Sequence, residues 1–227
     1  MESSNLFSLF TLAFGLGLLH ALDADHVMAI SGLMNTGNNA RNGIRFCLRW
    51  AIGHGITLLT IGCCVLVMGM TIPHQLSHYA EYAVGGLLIV IGVWLCWALS
   101  KTVSLHNTAS QSRGNTANPH DAIAATVDTP RQPSSHAMLV GILHGIAGSA
   151  PLLLLISLAN IGSALSGLVY ILLFSIGVLC AMLLFGGLLT RAYRWLAHWG
   201  TPLVLLTRLL IAIGAIVLGI NILLFSH

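Results

Sequence analysis

The stretch LFSLFTLAFGLGLLHALDADHVMAISGL, residues 6–33, decides the fold. It is long and apolar enough to cross a bilayer, which takes about 20 such residues. Its middle nevertheless holds His20, Asp23, Asp25 and His26. A charged side chain at the bilayer centre costs about 2.5–3.5 kcal/mol even on the lenient insertion scale. Two carboxylates and two imidazoles in so short a stretch are tolerable only in a wet cavity, paired with one another, or around a cation. On an unbroken α-helix His20, Asp23 and His26 follow one another at offsets of about 60° on one face, with Asp25 turned away. The helix therefore either presents a three-ligand stripe or breaks here and brings Asp25 round.

The rest of the chain agrees with a membrane setting. Of 227 residues, nine are Lys or Arg and six are Asp or Glu, so only 7% are charged and 56% are apolar. A soluble domain carries about 25% charge to cover its surface. This composition excludes a soluble enzyme, a disordered chain and a nucleic-acid binder. Five further apolar runs follow the first, at about 50–72, 80–100, 137–159, 164–190 and 203–225. The expected fold is all-α, a polytopic membrane protein with six transmembrane helices. Residues 101–135 are rich in Ser, Thr, Asn, Pro and His and read as a flexible polar linker. Residues 191–202, with Arg191, Arg194, Trp195 and Trp199, read as a short interfacial segment. The start of the chain lacks a basic region and a small-residue cleavage site, so the first run is not expected to be a removable signal. The five cysteines lie in or beside apolar runs with no CxxC spacing, and read as core residues rather than a disulfide framework.

Orientation follows from the cations. Arg41, Arg45 and Arg49 follow run one, Lys101, Arg113 and Arg131 follow run three, and Arg191, Arg194 and Arg208 lie between or at the edges of runs five and six. All nine fall on one side of a six-span layout. The positive-inside rule makes that side cytoplasmic, so both termini and the opposite loops face outward in an inner membrane.

An internal repeat is also visible. An offset of 124 pairs Ala13 with Ala137, Gly17 with Gly141, Leu19 with Leu143 and His20 with His144. The same offset pairs Ile52 with Ile176, Gly53 with Gly177, Leu59 with Leu183 and Gly62 with Gly186. Three helices per half is an odd number, which predicts two inverted three-helix repeats, residues 1–100 and 136–227, joined by the 101–135 linker. Secondary transporters are built this way, with the site between the halves near midplane.

Imidazole nitrogen with carboxylate oxygen suits Ni²⁺, Co²⁺ or Zn²⁺ better than Cu⁺ or Mg²⁺. The candidate ligands are His20, Asp23, Asp25 and His26, joined by His54 from Gly53-His54-Gly55. His144, the mate of His20, and Ser149, the mate of Asp25, are expected to line the same site. Ala150 stands where His26 stands, so the second half keeps the geometry with fewer ligands. His74, His78 and Glu81 share one face if helical, and read either as an outer entrance or as a polar helix start. The competing reading of the whole cluster is a structural His–Asp network that pins the bundle.

HALDADH at residues 20–26 resembles the signature helix of the nickel/cobalt transporter superfamily. Gly53-His54 resembles its second motif, and HGIAGSAP at 144–151 resembles the six-helix, urease-accessory-type branch. The resemblance implies a permease in which His20, Asp25 and His26 bind Ni²⁺ or Co²⁺, with Asp23 and His54 contributing. It implies a metal ion as substrate, no permanently bound cofactor and no enzymatic activity. Because the superfamily includes efflux proteins, direction stays open. No GxxxxGK[ST] is present, so the expected carrier does not bind ATP through that motif. Partners expected besides lipid are a second copy of the chain or a metalloenzyme-assembly machine, which would make the chain an accessory or delivery subunit. An anion carrier fits poorly because the Asp pair repels anions. An intramembrane hydrolase has neither HExxH nor GxSxG to support it.

Overall fold

The computed structural model describes residues 3–33, 40–69, 74–112, 135–147 and 163–225. Every regular element among them is a helix: α1 (Ser3–His20), α2 (Ala24–Leu33), α3 (Ala40–Leu66), α4 (His74–Ser112), α5 (Ser135–Ile146), α6 (Ala164–His198) and α7 (Thr201–Phe225). Four segments are long and apolar enough to cross a membrane: Arg41–Leu66, His78–Lys101, Ala164–Leu196 and Pro202–Phe225. The pair Phe7–His20 and Ala24–Leu33, bent by 51° at its break, is apolar enough when taken together. Of the expected run 137–159, α5 supplies the start, and the remainder from residue 148 lies outside the described residues.

The break between α1 and α2 has a local cause. The last turn of α1 tightens, with Leu22 N–H donating to the Leu19 carbonyl and Asp23 N–H to the His20 carbonyl, at 2.9 and 3.1 Å. Helix α2 then starts afresh, its first bond running from Val27 N–H to the Asp23 carbonyl at 3.0 Å. Asp23 is thus the N-cap residue, a position that favours Asp, and Asp25 lies in the first turn, where the helix dipole favours negative charge. The sequence breaks the helix with acids, without Pro or Gly. Non-helical backbone at membrane depth is tolerated where it is buried in protein or lines a cavity.

Helices α3 and α6 pack on each other and form the middle of the bundle; α1 packs on α6, α5 on α3, and α4 on α7, while α2 lies against α7 and α4. Glycines set these contacts. A side chain on Gly17 would collide with the Phe174 carbonyl, and one on Gly141 with the Trp50 carbonyl. Likewise Gly53 lies on the Met138 carbonyl and Gly177 on the Phe14 carbonyl. Such close backbone approach is typical of membrane helix pairs. Position by position these four contacts form two pairs, each related by the offset of 124. Gly55 faces Ser175 while Gly62 faces Ile171, so α3 and α6 run antiparallel. The core around them holds Trp50, Leu58, Tyr170, Ile171, Phe174 and Met182, all fully buried. Leu184, Leu188 and Val217 point outward, as side chains facing acyl chains should.

Three helix bounds differ from the sequence expectation. Helix α3 begins at Ala40 rather than near 50, because Arg41, Arg45 and Arg49 recur every fourth residue and continue one exposed helical face. Helix α4 continues past residue 100 to Ser112, with Lys101 Nζ lying 3.8 Å from the Trp97 ring centroid as an amphipathic anchor. Residues 113–134, most of the expected linker, lie outside the described residues. The expected interfacial segment at 191–202 is instead the end of α6, which runs to His198 before Gly200, at φ 112°, turns the chain into α7. Pro202 then falls in the first turn of α7, where its missing N–H costs nothing. Arg208, counted among the cytoplasmic-side cations, is buried at 6% exposure beside Tyr193 of α6.

Candidate metal centre

Four histidines from four helices meet where α1 ends and α2 begins. His20 closes α1, His26 lies in the first turn of α2, His54 is midway along α3, and His144 is near the end of α5. None is more than 6% exposed. Their ring centroids are 4.7 Å apart for His20 and His26, 5.4 Å for His20 and His54, 5.5 Å for His26 and His54, and 5.0 Å for His26 and His144. One nitrogen from each of His20, His26 and His54 lies within 4.8 Å of the other two. This is the only such group of three metal-capable side chains found among the described residues. Nitrogens about 2.0–2.1 Å from a shared ion stand about 3–4 Å apart, so these three lie about 1 Å too far apart to share one.

The carboxylates take distinct places. Asp25 Oδ1 accepts from His26 Nδ1 at 3.4 Å, and Asp25 Oδ2 is 3.8 Å from His144 Nε2. Asp25 therefore stands between imidazoles of α2 and α5, hydrogen-bonded to the first, as the broken helix allows. Asp23 Oδ2 is 2.8 Å from His20 Nδ1, a close polar contact without hydrogen-bond geometry, and its side chain is 48% exposed at the rim. The broken helix, rather than the three-ligand stripe, is what the structure contains.

His144 has one ring nitrogen fixed and the other left open. Its Nδ1–H donates to the Val140 carbonyl at 3.0 Å, which fixes the proton on that nitrogen and turns the Nε2 lone pair toward Asp25. A metal-bound histidine almost always anchors its second nitrogen in this way. The Nε2 atoms of His26 and His144 and both ring nitrogens of His54 are buried without a hydrogen-bond partner. An unsatisfied buried polar atom costs about 1–3 kcal/mol. Several at one point are hard to reconcile with a purely structural network, and suit a centre whose occupant supplies the missing partner.

The structure therefore brings together His20, Asp25, His26, His54 and His144, and leaves Asp23 at the edge on His20. Ser149 and the side chain of His74 lie outside the described residues; His78 and Glu81 are partly exposed on α4 and outside the histidine group. Sequence reasoning missed Trp50 and Phe174. The Trp50 ring lies 4.9 Å from His144 and 6.1 Å from His26, and the Phe174 ring 5.5 Å from His20. The available signal was that two aromatic positions are 124 apart, a similarity rather than an identity.

Among the described residues, helices long and apolar enough to cross a membrane surround a buried imidazole–carboxylate cluster, an arrangement suited to a membrane protein that handles metal ions. The chain belongs to the NicO family, described as high-affinity nickel-transport protein, whose match spans residues 6–224. This is a family of transport proteins, not of enzymes. The chain is 32% identical over 190 residues to the urease accessory protein UreH of Bacillus sp. (strain TB-90), covering 82% of this chain and 77% of that one. It is 27% identical over 169 residues to a protein of Methanocaldococcus jannaschii provisionally named a nickel/cobalt efflux system, covering 73% and 68% respectively. No solved structure matches the chain.

Proposed function

We propose that the chain is a secondary transporter that carries Ni²⁺ or Co²⁺ across the membrane through the centre formed by His20, Asp25, His26, His54 and His144. The observation that carries this reading is the group of three buried imidazoles within 4.8 Å, built on a helix break and backed by Asp25. Neutral imidazoles and an ionised carboxylate match the borderline ions, and the absence of sulfur in the group disfavours Cu⁺. Asp23, half exposed on His20, receives the ion at the rim and passes it inward. Metal and protons compete for the same nitrogens, so loading and release are linked to proton movement.

The proposed architecture is six spans in two inverted halves, residues 1–100 and 136–227, with 101–135 as a cytoplasmic linker and both termini outside. Its support is the reciprocal packing: Gly17 on Phe174 and Gly141 on Trp50, Gly53 on Met138 and Gly177 on Phe14, every residue matched by its mate 124 away. The cation-bearing end of α3 and the Arg191–Arg194 end of α6 agree with the proposed orientation. The names of the two relatives favour a second reading, in which the same centre serves efflux or delivers nickel to an assembly machine.

Flux separates transport from delivery. Purified protein in proteoliposomes should move radioactive nickel down a gradient, and His26→Ala should stop it while the protein still folds. Binding without flux would favour the delivery reading; flux undiminished in His26→Ala would end the proposal.

A further inference from the structure

The two aromatic contacts at the metal centre are the same device built twice. On one side His20 meets the Phe174 ring at 5.5 Å, with the planes 35° apart. On the other His144 meets the Trp50 ring at 4.9 Å, at 56°. One turn before each histidine stands a glycine, Gly17 or Gly141, against the backbone carbonyl of that same aromatic residue. Histidine, glycine and aromatic residue are all related by the one offset of 124. Both aromatic residues are buried, at 0% and 1% exposure.

Their positions along the bundle differ. With Gly55 facing Ser175 and Gly62 facing Ile171, Phe174 stands level with about residues 56–57 of α3. At 1.5 Å per residue that is about 10 Å from Trp50 along the axis, with His54 between. Trp50 lies toward the end of α3 that bears Arg41, Arg45 and Arg49; Phe174 lies toward the start of α6, far from Arg191 and Arg194. Trp50 also holds a buried indole N–H with no partner, beside His26 and His144. An unpaired donor at that point suits a surface along which a hydrated ion passes, since its water can accept the bond.

We propose that Trp50 and Phe174 are the two gates of the metal path, one toward each membrane face, each closing over the histidine of one half. The proposal rests on the transport reading and deepens it. With both rings seated the histidines are shut in. Tilting α5 on α3 about the Gly141–Trp50 contact opens one side; tilting α1 on α6 about the Gly17–Phe174 contact opens the other.

The test reads access from each face separately. In a chain whose five cysteines are replaced by Ala or Ser, Ser175→Cys places a thiol opposite Gly55, next to His54. Inside-out and right-side-out membrane vesicles are treated with a membrane-impermeant cationic thiol reagent. With both rings intact, labelling should be slow from either face. Trp50→Ala should raise it at least tenfold from one face only, and Phe174→Ala at least tenfold from the other. Trp50→Leu and Phe174→Leu, which keep much of the core volume, should show the same sidedness if an Ala variant does not fold. Trp50→Phe and Phe174→Trp, which keep a ring, should stay near the parent rate. Labelling from the same face in both truncations, or no increase in either, would overturn the assignment and place access along the Asp23–Asp25 side. Nickel flux through the cysteine-free parent tests the transport reading independently of these rates.

Discussion

The helix contacts that hold the centre make an unusually discriminating prediction, because glycines of opposite consequence lie within one turn of each other. A methyl group on Gly15 meets nothing within 4 Å, while one on Gly17, two residues on, meets the Phe174 carbonyl inside its contact radius. Gly141 meets the Trp50 carbonyl in the same way, and Gly86 and Gly187 are open like Gly15. At an open helical site Gly→Ala should stabilise by up to about 1 kcal/mol, through propensity alone. At Gly17 or Gly141 the methyl must push two backbones apart by about 1 Å, and such overpacking costs about 1–3 kcal/mol. The sign therefore reverses within one helix. For a chain of this size 1 kcal/mol shifts Tm by about 2–4 °C. Thermal unfolding in detergent should place Gly15→Ala, Gly86→Ala and Gly187→Ala at or above the parent, and Gly17→Ala and Gly141→Ala about 2–12 °C below it. Because α1 carries His20 and α5 carries His144, the two destabilised variants should also bind nickel more weakly. Equal stability of Gly17→Ala and Gly15→Ala would refute the described α1–α6 contact.

Further expectations concern the centre itself. Asp25→Asn should weaken nickel binding about 100-fold, since it removes a carboxylate charge that faces both His26 and His144, whereas Asp23→Asn, at the rim, should cost about tenfold, within the range for an outer partner; titration calorimetry ranks them, and the reverse order would contradict the geometry. His144→Ala should weaken binding by about 10–100-fold while leaving the protein folded; an affinity unchanged in this variant would remove α5 from the site. Lowering the pH should weaken binding, because protons occupy the nitrogens that the metal needs. The heat of binding should accordingly vary with the ionisation enthalpy of the buffer, and a heat independent of buffer would show that no proton is displaced.

Much of this was legible in the sequence because charge is scarce. Asp23 and Asp25 stand out only against a chain that is 7% charged, and their histidine neighbours then name the chemistry. The helix break was legible as one of two alternatives, since Asp-x-Asp can cap a new helix as readily as decorate an old one. Which alternative holds depended on packing that no local pattern encodes. Hydropathy misplaced the start of α3, because it registers three arginines as charge and not as one face recurring every four residues. It also cut α6 short at Arg191, where Trp and Arg suit a helix end as well as a surface segment. The contribution of Trp50 and Phe174 was hidden for another reason. A buried aromatic is ordinary, and only the coordinates show that each covers a histidine in the same way. The proposed repeat rests in the sequence on identities such as His20 and His144, and its strongest support, the reciprocal glycine–carbonyl contacts, exists only in three dimensions.

The central claim is that the buried histidines of four helices, with Asp25, form the coordination shell of the transported ion. X-ray absorption at the nickel edge of the loaded, purified protein reads that shell directly. The account predicts nitrogen and oxygen ligands alone, at about 2.1 Å, with outer scattering from at least three imidazoles that falls by one ring in His144→Ala. A sulfur shell, from Met28 or a cysteine, or scattering from no more than one imidazole, would contradict it.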